Sequence, residues 1–598
     1  MTGDDSHPAT EGSEHRGGMG AIVHDEGVAF RVWAPNASAA WVVGDFDDWG
    51  GTELVSEGNG YFYGDVAGAS AGDEYKFRLT GADGDERYRI DPYARHVTNS
   101  VGNGIVHDPA AFDWGDDDFA CPSHDQLVVY ETHVGSFVGG PGGPGDLEKV
   151  AGKLAYLADV GINAIELMPL MEFSGDVSWG YNPAHVFAVE SAYGGPDALK
   201  GFVKAAHEHG IAVILDVVYN HFGPSDLDLW RFDGWSEHDK GGIYFYNDHR
   251  SATPWGDTRP DYGREAVRNF IHDNAFMWLR EYRVDGLRFD MTPFMRSVDG
   301  TGKDIPEGWD LMGWIARDVR DQFPDAIMIA EDLHGDHLVT STASDGAAFH
   351  SQWDTHFVHP VRRALTAVDD DDRSMTAVAD AITYDYGDAF ARVVYTESHD
   401  EVANGKARIP SEVDGDNPTG WHAQKRAALG LALVLTSPGI PMLFQGQEFL
   451  EDEWFRDDVP LDWPRAEHFR DLVRMVSDLV HLRRDVDGTS GGLRGQDTRL
   501  LQVDDDAKVV AFSRHREDAA DVVVIANFQA ESVDGHRVGF PAAGHWSLRF
   551  NSDARTYSSL FGDHGSGDLD VGDDGVDGLP ASAVVDIGPA SVLVYTRD

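Results

Sequence analysis

The chain has 598 residues, of which 42% are hydrophobic, and carries 103 acidic against 47 basic side chains for a net charge of −56. The length exceeds one ordinary core and anticipates several domains, and the charge excludes nucleic acid and anionic membranes as partners. No apolar run approaches the ~20 residues of a membrane-crossing helix.

Residues 1–18 are polar, acidic and Gly-rich, without the basic start and apolar stretch of a signal peptide. They read as a disordered tail, and the chain as cytoplasmic. The one cysteine, Cys121, allows no intrachain disulfide, which agrees with a reducing compartment. The acids are scattered rather than gathered in one tail. That pattern fits a solvated surface whose self-repulsion is screened at molar salt, where the Debye length is ~3 Å, and so a halophilic protein.

Residues 19–118 read as an N-terminal β-sandwich: short alternating strands at residues 28–35, 40–46, 61–63 and 75–79, divided by Gly and Asp. Residues 119–489 change character. Strands at residues 127–131, 164–168 and 212–216 alternate with amphipathic helices at residues 147–160 and 196–209. Strands ending at residues 397 and 445 close a set that counts to eight. That alternation argues for a (β/α)8 barrel, whose active site lies where the strands end. Residues 221–262, after the third strand, are too long for an ordinary loop and read as an inserted subdomain over the mouth. Residues 490–598 return to short β runs and read as a C-terminal β-sandwich, with the Gly/Asp-rich residues 562–578 as a loop.

Four apolar runs end in polar clusters. They are Asp216-Val217-Val218-Tyr219-Asn220-His221, Gly286-Leu287-Arg288-Phe289-Asp290, Ala330-Glu331-Asp332 and Ser398-His399-Asp400. A buried strand that runs into such a cluster carries it to one rim of the sheet. Cleaving a glycosidic bond with retention needs two carboxyl groups roughly 5–5.5 Å apart, one as nucleophile and one as general acid/base. Asp290 has Arg288 two residues earlier on the same face, a neighbour expected to lower its pKa and keep it ionised. Glu331 ends the next strand; shielded from water and facing anions, it is expected to hold a proton. Asp400 is a third carboxylate, with His399 beside it to bond a sugar hydroxyl. Asp216 is expected to be structural, bonding Arg288 or local backbone.

These four segments resemble the signature regions of the α-amylase superfamily of glycoside hydrolases and transferases, and the resemblance covers almost the whole chain. It implies that Asp290 is the nucleophile, Glu331 the acid/base and Asp400 the transition-state stabiliser. Arg288, His221 and His399 are implied to bind the sugar at the cleavage point, and Tyr181, in Trp179-Gly180-Tyr181-Asn182-Pro183, to stack on it. The N-terminal sandwich is similar to the starch-binding-type module of branching enzymes, debranching enzymes and trehalohydrolases. The implied partner is an α-glucan polysaccharide or a maltooligosaccharide.

Within the superfamily the motifs divide. Ser398-His399-Asp400-Glu401-Val402, with Gly405-Lys406 after it, is similar to 1,4-α-glucan branching enzymes. Asp216-Val217-Val218-Tyr219-Asn220-His221-Phe222-Gly223-Pro224 looks like α-amylase or maltooligosyltrehalose trehalohydrolase instead. A branching glucanotransferase is the first reading, an endo-hydrolase the alternative and a trehalohydrolase the third. A non-catalytic glucan-binding protein stands outside the class and is opposed by the three intact carboxylates. Trp230, Phe232, Trp235, Tyr244, Phe245, Tyr246, Trp255, Trp454, Phe455 and Trp463 fall in predicted loops, as sugar platforms or as loop packing. Trp33, Trp41 and Trp49 read as core or interface. No organic cofactor and no metal are expected; Asn220 resembles an amylase calcium ligand, which makes calcium the one alternative, but branching-type relatives commonly do without it. The Gly/Pro-rich residues 139–145 lack the Lys-Ser/Thr of a phosphate loop.

Overall fold

The computed structural model describes residues 15–139 and 144–597. The expected acidic tail therefore lies largely outside the described residues, as does most of the Gly/Pro-rich stretch. Its last residues are docked rather than loose: Arg31 Nη1 donates to the carbonyl of Arg16 at 2.7 Å, and His15 Nδ1 lies 2.8 Å from Glu57 Oε1.

Among the described residues the centre of the fold is a closed barrel of eight parallel strands. They are β1 (Val129–Thr132), β2 (Ala164–Leu167), β3 (Ala212–Val217), β4 (Gly286–Phe289), β5 (Ile327–Ala330), β6 (Ser351–Trp353), β7 (Arg392–Val394) and β8 (Ile440–Phe444). Every residue of these strands is buried, because helices cover the outside and side chains fill the lumen. Gly286 serves this closure. A Cβ there would meet Ile327 O at 2.5 Å, so only glycine lets β4 approach β5 this closely.

Two expectations are corrected here. The helix expected over residues 147–160 is two short ones, Leu147–Ala151 and Leu154–Val160, divided at Gly152-Lys153. The loop expected over residues 562–578 contains a strand, Leu569–Val571, which pairs with Gly544–Asn551; alternating burial of Leu569 and Val571 against the C-terminal core outweighs the Gly/Asp-rich flanks.

Before the barrel, eight strands form one sheet system from Gly20 to Ile105. After it, a six-stranded antiparallel sheet and a two-stranded sheet close the chain. Both flanking units are fastened to the barrel by polar contacts, fully buried on the C-terminal side and half-buried on the N-terminal side. The helix Trp421–Thr436 is buried almost throughout because it lies between barrel and C-terminal sheet, where Lys425 Nζ meets Asp553 Oδ1 at 2.6 Å. On the N-terminal side, Arg95 grips Glu281, on the helix Glu265–Glu281, through two bonds of 2.6 and 2.5 Å.

The segment 221–262 packs against the N-terminal sheet. Phe232, Tyr244, Phe245 and Tyr246 are each buried, and Asp233 and Asp228 accept backbone N–H bonds from Asn36 and Ile90 of the N-terminal sheet. Trp33 meets Tyr244 edge-on at 5.5 Å. These rings join the two units, so most of the loop aromatics take the packing role. Phe455 is buried and Trp463 donates its indole N–H to Phe137 O; Trp255 and Trp454 are the large exposed rings of that set.

Candidate active site

The register of the barrel strands assembles the site. Pairing of β3 with β4 sets Asp216 against Arg288. Pairing of β4 with β5 sets Phe289 against Ala330, so Asp290 and Glu331, one residue further on each strand, emerge side by side. Arg288 is fully buried and stands at the centre. Its Nη1 donates to Asp216 Oδ2 at 2.6 Å and to Asp290 Oδ1 at 3.1 Å, and its Nη2 lies 2.9 Å from Glu331 Oε2. Its guanidinium lies over the Trp353 ring, 4.2 Å from the centroid.

Three carboxylates thus share one cation, and burial of their charge is not fully compensated. Burial raises Glu331 to about 8, with the charges of Asp290 and Asp400 adding to it against Arg288. Asp290 rises to about 6 because burial, with Asp216 beside it, outweighs the lowering by Arg288. The expectation that Arg288 leaves the Asp290 pKa below its usual value is corrected accordingly: a buried site with more acids than cations raises even the Arg-paired acid. The order is what matters chemically. Near neutral pH Glu331 holds a proton and Asp290 is largely ionised.

The remaining residues of the sequence reading surround this trio. Asp216, also raised to about 6 by burial, accepts from the Tyr181 hydroxyl at 2.6 Å. Tyr181 follows Gly180, whose φ of +94° and close approach to Pro169 O require glycine. The Tyr181 ring lies on His399, with centroids 5.1 Å apart. His221 Nε2 lies 2.9 Å from Tyr181 O, and its ring stacks on Trp255 at 4.6 Å. Asp400 is about half exposed, and its Oδ1 is 3.6 Å from His399 Nε2. All eight sequence-derived site residues are therefore in one contiguous group.

Asn220 does not suit calcium. Its Nδ2 donates to both the carbonyl and Oδ2 of Asp290, at 2.8 and 2.7 Å, and its Oδ1 bonds His221 Nδ1. The side chain thus orients Asp290, and its oxygen is turned to His221 rather than to a set of acidic ligands. Among the described residues no group of three or more His, Cys, Asp or Glu is arranged to hold a metal ion.

Four lumen residues escaped the sequence reading: Trp353 under Arg288, Asn220 as the partner of Asp290, and the acids Glu131 and Glu166. The last two pair across β1 and β2 and are each 1% exposed. Burial holds the Glu166 carboxyl well above the usual range, and its Oε2 has no hydrogen-bond partner among the described residues. The signal for both acids was present: a carboxyl inside an otherwise apolar buried strand is either paired with a cation or donor, or held neutral by burial.

An eight-stranded barrel with acids at the C-terminal ends of neighbouring strands is matched by family comparison. Residues 93–230 and 228–487 match the α-amylase catalytic domain, residues 18–94 carbohydrate-binding module 48 (isoamylase N-terminal domain), and residues 501–598 the α-amylase C-terminal all-β domain. The chain belongs to the α-amylase family and is an enzyme of that superfamily. Among its relatives, it is 33% identical to a 1,4-α-glucan branching enzyme GlgB of Oleidesulfovibrio alaskensis over 92% of this chain and 90% of that one. It is 32% identical to a 1,4-α-glucan branching enzyme GlgB of Burkholderia thailandensis over 99% of this chain and 74% of that one. The fold is shared with a putative α-amylase from Salmonella typhimurium, with a TM-score of 0.71 and 24% identity over 97% of this chain and 99% of that one. It is also shared with a type I pullulanase from Bacillus subtilis complexed with maltose, with a TM-score of 0.76 and 22% identity over 98% and 86%.

Proposed function

We propose that the protein is a 1,4-α-glucan branching glucanotransferase that works by double displacement. The observation that carries the chemistry is the shared grip of Arg288 on Asp290 and Glu331, with the proton held on Glu331. The choice of branching rests on relatives of that name, about one-third identical over most of the chain.

In the first step the Asp290 carboxylate attacks the anomeric carbon of an α-1,4-linked glucose. The bond to the leaving O4 breaks as Glu331 gives that oxygen its proton, leaving a glycosyl ester on Asp290. In the second step Glu331, now ionised, takes the proton from a 6-hydroxyl of an acceptor chain. That oxygen attacks the anomeric carbon, the ester breaks, and both acids return to their starting states. Asp400 faces the positive charge that develops on the ring. His399, His221 and Arg288 bind the sugar at the cleavage point, Tyr181 stacks on it, and Asp216 holds Arg288 and Tyr181 in place. Asn220 keeps Asp290 aimed. Residues 19–118, 119–489 and 490–598 are the three units of this reading, the first a glucan-binding-type module. Its surface charge suits molar salt, where thermal melts are expected to rise with KCl.

The segment from Asp216 to Pro224 favours a second reading, an α-amylase-type endo-hydrolase in which water replaces the 6-hydroxyl. Incubation with amylose in high salt separates the two. Branching lowers iodine staining and creates α-1,6 linkages with few new reducing ends. Abundant reducing ends without α-1,6 linkages would rule branching out.

A further inference from the structure

Glu131 lies on β1, inside the barrel, and the double displacement just described gives it no part. Its two oxygens are both committed to His399: Oε2 accepts the backbone N–H at 3.1 Å and Oε1 sits 2.5 Å from ring Nδ1. Both side chains are buried. On the opposite edge of the ring, Nε2 faces Asp400 Oδ1 at 3.6 Å. Each ring nitrogen therefore looks at a carboxylate oxygen. The Nδ1 contact is a hydrogen bond and the Nε2 contact an ion-pair distance; with a carboxylate on each side, the ring is favoured as an imidazolium over its neutral form.

The ring's other neighbours are accounted for. Tyr181 stacks on one face at 5.1 Å, Trp179 meets it edge-on at 5.6 Å and Trp353 is tilted at 6.0 Å. The charged or titratable groups that act on it from the surrounding strands are Glu166 on β2, Asp216 on β3 and Arg288 on β4, with His133 just after β1. Glu131 bonds both its backbone and its ring.

We propose that Glu131 is a positioning residue of the reaction. By clamping the backbone and Nδ1 of His399 it fixes the plane of the ring and holds it as an imidazolium, so that Nε2–H stays a donor beside Asp400 where the sugar binds. Burial pulls the His399 pKa down, but Asp400 and Glu131 more than reverse this and raise it to about 9. The role assigned to Glu131 rests on reading His399 as a sugar contact.

The test uses the full chain. Glu131→Gln keeps the size and an acceptor oxygen and removes the charge. NMR of histidine labelled at Cε1, with the His399 signal assigned through His399→Gln, should show its titration falling by about one pH unit or more in Glu131→Gln. An unmoved titration overturns the proposal. Activity on amylose, followed by loss of iodine stain, should fall about tenfold or more in kcat for Glu131→Gln, and Glu131→Gln should cost less than about twofold in a His399→Gln background. Equal cost in both backgrounds overturns it as well. If Glu131→Gln does not fold, Glu131→Asp withdraws the charge by one methylene; a His399 titration lowered by about half a unit supports the proposal and an unchanged one overturns it. Should His399→Gln alone leave the rate intact, the reading of His399 as a sugar contact fails, while the titration still decides what Glu131 does.

Discussion

The barrel mouth and the seam between barrel and C-terminal sheet both bury charge, but in different ratios. At the seam Lys425 and Asp553 are one cation and one anion, both fully buried, 2.6 Å apart. Just behind the mouth Asp332 is held by Arg296 through bonds of 3.0 and 2.8 Å, again one to one. At the mouth itself Asp216, Asp290 and Glu331 divide a single Arg288. Glu331 and Asp332 are consecutive residues with opposite fates. Asp332 has a cation of its own. Glu331 does not, and its carboxyl is pushed up to about 8. A matched buried pair holds the fold together; an undersupplied one keeps a proton available.

The sharpest way to test this contrast is to remove one charge from each kind of site. Asp290→Asn should lower activity on amylose by about 10⁴-fold or more. Its melting temperature should be unchanged or raised, because the variant relieves an excess of buried negative charge; a melt lowered as far as that of a seam variant would erase the distinction. Lys425→Ala should do the reverse. It leaves Asp553 buried without a cation, held by the backbone N–H groups of Gly562 and His564, and should cost about 3–5 kcal/mol of stability, read by denaturant unfolding, while kcat below the melting range stays near that of the parent.

The pH dependence sharpens the comparison further. Asp290 must lose its proton and Glu331 must keep one. kcat/KM should therefore fall about tenfold per pH unit below about 6 and above about 8, the values set by burial at the two carboxyls. A flat profile across that window would mean that the two acids do not carry the reaction. The smallest effect is expected at Trp255, the exposed ring stacked on His221. Trp255→Ala should raise KM for amylose roughly threefold to tenfold, as for one lost aromatic stack, with little change in kcat.

Much of this site was legible because strand period and chemistry coincide. A run such as Gly286-Leu287-Arg288-Phe289-Asp290 places Arg and Asp on one face without further information, and the parallel register aligns it with its neighbours. The sixth strand was included in the count of eight but could not be placed on particular residues. Ser351–Trp353 is three residues long, two of them polar, and no helix occurs between residues 331 and 350 to announce it. Its Trp353 supports Arg288, so a residue of the site was hidden with its strand. The loop aromatics from Trp230 to Tyr246 were ambiguous for a different reason. A ring that packs against another domain and a ring that waits for sugar have the same sequence signature, and only burial separates them. The pKa of Asp290 needed the count of buried charges around Arg288, which no spacing rule supplies.

The clasp between residues 228–246 and the N-terminal sheet bears on how such a protein can be cut and recombined. Asn36 and Ile90 donate to Asp233 and Asp228, Arg89 Nε donates to Phe232 O at 3.1 Å, and Trp33 abuts Tyr244. A boundary drawn at the end of the first module would leave these groups facing water on both fragments. The natural unit of transplantation is therefore the N-terminal sheet together with the long excursion after β3, two pieces of chain separated by more than a hundred residues that share one hydrophobic seam.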